Sequence, residues 1–309
     1  MPSIKEVRDR IGSVSSMDKI TNAMYLISST KKKKAKANLD QARPFFEMNE
    51  REIKRVFQSR QDVNSRYFYP KTGRKPAETY AYLVITADRG LAGAYNHNVI
   101  KRAQKEMKKH KKTRLYVVGE YGRRYFLRHK MPIERTFFYT AKDPSFRKAR
   151  EICSQLLEEY DNGRVDEIRV IYSDMASELN TVVRMDRILP FERTKFLTPR
   201  ADKNAKDVQY EFYPSVTEVI DRMMPAYIAG YVFGALVDSF CAEQNARMNA
   251  MSAASRNAKE LIGRLTLQYN MLRQSEITQE ITEISAGARA QKKKREKEEA
   301  AERQKAAEE

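Results

Sequence analysis

No proline occurs between Pro225 and residue 309, and glycine appears there only at 230, 234, 263 and 287. A single helix over that stretch would be about 125 Å long at 1.5 Å per residue. Few globular domains can bury such an element, because mean helices run about 11–12 residues. The stretch also carries an apolar and small-residue stripe at alternating spacings of four and three. It runs from Met223, Tyr227, Gly230 and Gly234 through Val237, Cys241, Gln244 and Met248 to Met251, Ser255, Ala258, Ile262, Leu265, Tyr269 and Leu272. That is the seam of a left-handed supercoil. Past Leu272 it slips by one residue and resumes at Ile277, Ile281, Ile284 and Ala288.

A matching stripe opens the chain. Ile4, Val7, Ile11 and Val14 keep four-three spacing; Met17 follows after three residues, which predicts a stammer continued by Ile20, Met24 and Ile27. After the lysines 31–34, Ala35, Leu39, Ala42, Phe46, Asn49, Ile53 and Val56 restore the period, with Pro44 set to bend the helix or cost it a hydrogen bond. One long helix at each end of one chain predicts an intramolecular antiparallel pair.

The middle has a different period. Thr79–Thr86, Arg114–Val118, Glu134–Thr140, Glu167–Tyr172 and Val182–Leu189 read as strands. Helices fall between them at Asn96–His110, Tyr121–His129 and Pro144–Asp161, the last with proline near its first turn. This alternation predicts a Rossmann-like α/β layer with a mostly parallel five-stranded sheet. The fold class is therefore α+β, a terminal coiled coil plus a central α/β domain. The expected organisation is residues 1–60 as N-terminal coiled-coil helix, 75–195 as α/β domain and 196–214 as loop, with a short strand at Tyr210–Tyr213. Residues 215–290 form the C-terminal coiled-coil helix and 291–309 a charged low-complexity tail.

Chemistry is missing where an enzyme would need it. There is no G-x-x-x-x-G-K-[ST] loop and no G-x-G-x-x-G after a strand. Asp88, Arg89, Gly90 and Gly93 read as a tight strand-to-helix turn. The three histidines, at 97, 110 and 129, are not spaced as ligands, so no metal, cofactor or catalytic set is expected. The two cysteines, Cys153 and Cys241, fit a reducing compartment and core packing. No secretion signal or bilayer span is read. The net charge of +18 and the clusters at 31–34 and 108–112 suit nucleic acid or an acidic protein partner equally. No RNA-recognition platform or helix-turn-helix accompanies them. The helix pair favours the protein partner, with a basic coiled-coil nucleic-acid binder as the alternative and a stand-alone nucleotide enzyme as a third reading.

Several segments then carry a family resemblance. ITQEITEISAGARA (277–290) resembles the signature of the γ subunit of F-type ATP synthases, and ARMNAMSAASRNAKELI (246–262) with LTLQYNMLRQSEIT (265–278) extends it. KITNAMYLISSTKKKKA (19–35) resembles the first helix of that family, and TADRGLAGAYNHNVI (86–100) its central strand–turn–helix motif. The match covers residues 2–290. Ala92 stands where many relatives have cysteine, and no cysteine-bearing insertion of the chloroplast kind is present.

The resemblance implies a non-catalytic central-stalk rotor that couples ion-driven c-ring rotation to sequential change in the catalytic β subunits. Its implied partners are the α and β subunits (α3β3), the ε subunit and the c-ring, and the chain would be peripheral to the cytoplasmic face of a bacterial plasma membrane. It also implies "catch" contacts to β at Arg247, Gln274, Thr278 and Glu280, with Met24 near the β lever. A basic patch of Lys31, Lys32, Lys33 and Lys34 would face β, and Tyr210 and Glu211 the c-ring and ε side.

Overall fold

The computed structural model describes residues 3–58, 64–69, 78–137, 143–175, 181–192, 196 and 211–308, with side chains described as far as residue 295. The elements are α1 (Ile4–Gln58), β1 (Thr79–Ile85), α2 (Tyr95–Met107), β2 (Lys112–Val118), α3 (Glu120–Arg128), β3 (Arg135–Phe137), α4 (Phe146–Asp161), β4 (Glu167–Met175), β5 (Thr181–Leu189) and α5 (Val216–Glu308). The chain divides into two compact units, Met24–Met251 and the pair Met1–Ala23 with Ser252–Glu309.

In the larger unit the sheet order is β3-β2-β1-β4-β5. β1 pairs in parallel with β2 and β4, β2 in parallel with β3, and β5 runs antiparallel along β4. Both faces are covered, which explains why YLVI and RVIY are continuous apolar runs rather than alternating ones. One face packs on α2 and α3 through Val84, Val99, Leu115 and Phe126. The other packs on α4 and on the lower parts of α1 and α5, through Leu83, Val170, Ile152, Ile53, Ile220 and Val232. The most apolar window of α5 has mean hydropathy 1.3 and is 72% buried, so its apolarity is spent inside the fold.

Here α1 and α5 run antiparallel, since Lys32 meets Asn245 and Phe46 meets Phe233. A Cβ on Gly230 would sit 2.5 Å from the Phe46 ring, so only glycine admits that ring against α5. The helix starts are capped as their sequences demand. Ser3 and Glu6 exchange side-chain-to-backbone hydrogen bonds at the head of α1, a capping box. The Ser215 hydroxyl accepts from the Glu218 amide at α5. Ser145 caps α4 by accepting from the Lys148 amide. Pro144 therefore precedes the cap rather than occupying the first turn.

In the smaller unit Val7, Ser255, Ala258 and Leu265 are buried along the pair. Three expectations need correction. The stammer is not present: Met17, Ile20 and Ile27 are exposed, whereas Asp18 is half-buried and Thr21 and Ser28 are buried. The seam keeps regular spacing by accepting polar residues. The resumed stripe at Ile277, Ile281 and Ile284 is also exposed and is not covered by α1. Residues 211–214 form no strand; Tyr210, most of the 196–214 loop and the end of the Glu134–Thr140 strand lie outside the described residues. The helix of α5 runs through the charged tail to Glu308.

Candidate functional site

The chemistry gathers where the turn after β1 meets α5, within the larger unit. Thr86 starts that turn: its hydroxyl donates to the Val118 carbonyl at 2.8 Å and accepts from the Gly122 amide at 3.1 Å. The Ala87 amide donates to Asn96 Oδ1 at 2.9 Å. Asp88 Oδ1 accepts from the Glu120 amide at 3.1 Å, which places a carboxylate on the N-terminus of α3. Leu91 (φ 61°) and Gly93 (φ 54°) then take left-handed conformations that reverse the chain into α2. Leu91 and Arg89 point to solvent, while Ala87, Ala92 and Tyr95 pack on Ala242 of α5.

Polar contacts key this packing. The Tyr95 and Ser239 hydroxyls share a 2.7 Å hydrogen bond. Arg247 donates from Nη2 to the Gly90 carbonyl at 3.1 Å and pairs from Nη1 with Glu243 Oε1 at 2.7 Å. Burial raises the Glu243 carboxyl; Arg247 opposes that shift, and Asp88 adds to it. Burial also raises the Tyr95 phenol, so it stays a neutral hydroxyl. Ser239, Glu243 and Arg247 recur every four residues and so share one stripe of α5. Cys241 and Asn245 lie about 200° around the axis from that stripe. There Lys32 Nζ donates to Asn245 Oδ1 at 3.0 Å and the Cys241 thiol faces the Lys32 carbonyl at 3.9 Å. Thus α5 is gripped on one side by the turn and on the other by α1.

The structure sorts the expected residues. Arg247 is only 8% exposed and engaged within the chain. Lys32 is half-buried on Asn245, while Lys31, Lys33 and Lys34 are exposed, and Met24 is half-buried. In the smaller unit Gln274, Thr278 and Glu280 are exposed on α5; the Thr278 hydroxyl donates to the Gln274 carbonyl. Glu211 is exposed. Sequence reasoning passed over Tyr95, Ser239, Glu243 and Asn245. The spacing of four from Ser239 to Arg247 is legible, but Asp238, Gln244 and Asn245 interleave with it, so residue type does not mark the stripe. Among the described residues no cluster of three or more His, Cys, Asp or Glu could hold a metal ion.

A family model described as ATP synthase matches residues 3–291. The chain belongs to the ATP synthase γ family. It is 42% identical over 294 residues to the ATP synthase gamma chain of Caldanaerobacter subterraneus subsp. tengcongensis, covering 92% of this chain and 98% of that one. It is 38% identical to the gamma chain of Ruminiclostridium cellulolyticum, covering 93% and 98%. Two solved structures share the fold. The rotor of the Euglena gracilis mitochondrial ATP synthase superposes with TM-score 0.60 at 16% identity, over 89% of this chain and 98% of that one. The central stalk and c-ring structure from Tetrahymena thermophila gives 0.56 at 22%, over 76% and 99%. The γ-family match ends at 291, so the charged extension from 292 onward lies outside it.

Proposed function

We propose that this γ-family chain is the central-stalk rotor shaft of an ion-driven ATP synthase and makes and breaks no bonds itself. Its paired termini turn inside a ring of three α and three β subunits. The α/β layer meets the ε subunit and the c-ring at the cytoplasmic face of a bacterial plasma membrane. Ion flow turns the c-ring and with it the shaft. Each β subunit then meets a different face of a lopsided helix pair and favours the conformation that binds that face best.

One observation supports the reading most: α5 carries apolar side chains that the chain itself leaves uncovered. Leu267 (64%), Met271 (71%), Ile281 (59%) and Ile284 (68%) are exposed, joined on α1 by Met17 and Ile20. Full burial of each would contribute roughly 1.5–3 kcal/mol, without the directional bonds that would stop a shaft from sliding in its sleeve. Gln274, Thr278 and Glu280 offer the few polar contacts to β, and Met24 a flexible thioether beside the β lever. Lys31, Lys33 and Lys34 face acidic β surface, with Lys32 as their inner neighbour. Tyr210 and Glu211 lie toward the c-ring and ε. Arg247 reaches a β carboxylate by leaving the Gly90 carbonyl.

The test is a tagged pull-down with mass spectrometry, paired with ATPase and rotation assays. The isolated chain hydrolyses no ATP and co-purifies with nucleotide-binding subunits whose coupling it supplies. Joint replacement Arg247→Gln with Gln274→Ala slows ATP-driven rotation under load. Recovery of nucleic acid instead of ATPase subunits would overturn the assignment, and unchanged loaded rotation would remove the catch contacts.

A further inference from the structure

The cluster Lys108–Lys112 takes no part in the function above, and the fold gives it a place. Parallel strands put all their N-terminal ends on one edge of a sheet. The loop before β2 carries Lys108, Lys109 and Lys111, and Lys112 begins β2 itself. Arg128 ends α3, and Lys130 lies in the loop that leads to the neighbouring strand β3. Gln104 Nε2 donates to Met131 Sδ at 3.9 Å, which ties that second loop to the last turn of α2. Six cations from two adjacent connections therefore crowd one corner.

Their counter-charges are few. Lys109 pairs with Glu106, which is buried, and Lys112 pairs with Glu78 in an exposed bridge. Glu134 lies 3.8 Å from Arg114, whose closer partner is Glu159 at 2.8 Å. Lys108, Lys111, Arg128 and Lys130 are exposed. The corner offers no forked cradle: its cations are mostly lysines, compact charges on flexible stems that suit a diffuse array of anions better than one bidentate partner.

The same edge carries the foot of α5. Ser65 bonds Asp221 in the second turn of α5, and Arg66 pairs with Asp161 at the end of α4, just before β4. The Asp88–Gly93 turn lies at the opposite, C-terminal edge, against residues 239–247 of α5. The lysine corner thus faces the way α5 begins. The rotor reading, on which this inference rests, turns that end toward the membrane.

We propose that Lys108, Lys109, Lys111, Lys112, Arg128 and Lys130 form a surface that rides on anionic lipid headgroups around the rotor's foot. The attraction is long-ranged, falls off within a Debye length of about 8 Å at physiological salt, and specifies no register. A turning subunit can keep such a contact at every angle, which a set of fixed ion pairs would forbid.

The full-length chain is mixed with vesicles of phosphatidylcholine alone, or of phosphatidylcholine and phosphatidylglycerol at 7:3, and sedimented at several salt concentrations. Binding appears only with the anionic vesicles and weakens steeply with salt. The joint variant Lys108→Gln, Lys109→Gln, Lys111→Gln and Lys130→Gln binds them roughly a thousandfold more weakly, at about 1 kcal/mol per cation. The control Lys33→Gln with Lys34→Gln loses less than threefold. In the assembled complex, acetylation of Lys108, Lys111 and Lys130 is severalfold slower in nanodiscs containing phosphatidylglycerol than in neutral ones, and that of Lys33 is unchanged. Equal binding to neutral vesicles, equal loss in the control, or patch-dependent binding to duplex DNA without vesicle binding would each overturn the proposal. The vesicle experiment needs only the isolated chain, so a failure of the rotor reading would show separately, in the pull-down.

Discussion

Ser255 on α5 donates its hydroxyl to the carboxylate of Asp18 on α1 at 2.5 Å, across 237 positions of sequence, and Asn22 Oδ1 lies 3.3 Å from the Ser255 hydroxyl oxygen. The two ends of the chain are therefore bound to each other by a buried hydroxyl and a half-buried acid on the pairing face. Replacing both residues by cysteine, as Asp18→Cys with Ser255→Cys, places two thiols face to face. Oxidation should lock the pair and leave ATP-driven rotation within twofold of the reduced state. Rotation lost on oxidation and restored by reductant would mean that the two helices slide past each other.

Gly230 is the second point of contact to test. Gly230→Ala drives a methyl group into the Phe46 ring and should cost about 1–3 kcal/mol in urea unfolding. Adding Phe46→Leu should recover part of the loss. If the double variant is no better than the single, the close approach is not the cause.

Arg247 and Glu243 form a buried pair, 10% and 8% exposed at their side chains. Arg247→Met leaves a buried carboxylate and the Gly90 carbonyl without their donor, at a cost of about 3–5 kcal/mol. Arg247→Met with Glu243→Gln removes the uncompensated charge and should be markedly more stable than Arg247→Met alone. Equal stability of the two variants, measured by denaturant midpoint, would place the cost elsewhere.

The Asp238 carboxyl is pushed up to about 6 from its ordinary 3.8, chiefly by burial, with Asp174 adding and Arg184 and Arg43 opposing. The folded chain thus holds this proton more tightly than the unfolded chain does. The group's contribution to stability is present below about pH 4 and is lost as pH rises through 6. Asp238→Asn should stabilise the protein by about 1–3 kcal/mol at pH 7, shrinking toward zero at pH 4. A gain independent of pH would point to packing instead.

Much of this fold is written in one-dimensional periods. The strands from Thr79, Arg114 and Glu167 stand out because both faces of the sheet are covered there, and the α5 stripe from Met223 to Leu272 stands out because small and apolar residues keep a strict heptad. The N-terminal seam was harder to read. Met17, Ile20 and Ile27 are apolar but exposed, and Asp18, Thr21 and Ser28 hold the pairing face. Hydropathy alone cannot separate an apolar side chain kept for a partner from one kept for the chain's own helix. The grip on residues 239–247 was invisible for a related reason. Arg247 donates to a backbone carbonyl, and a backbone carbonyl leaves no trace in residue type.

A chain that turns as a shaft within a larger ATPase must carry a bead fixed to its foot around with it. Cys153 and Cys241 are 2% and 7% exposed, so one cysteine introduced at Arg222, on the foot of α5, can be labelled selectively. With the ring of nucleotide subunits fixed to glass and a bead on that cysteine, ATP should drive continuous rotation in one direction, in three steps per turn. ATP hydrolysis with the bead stationary would contradict the account.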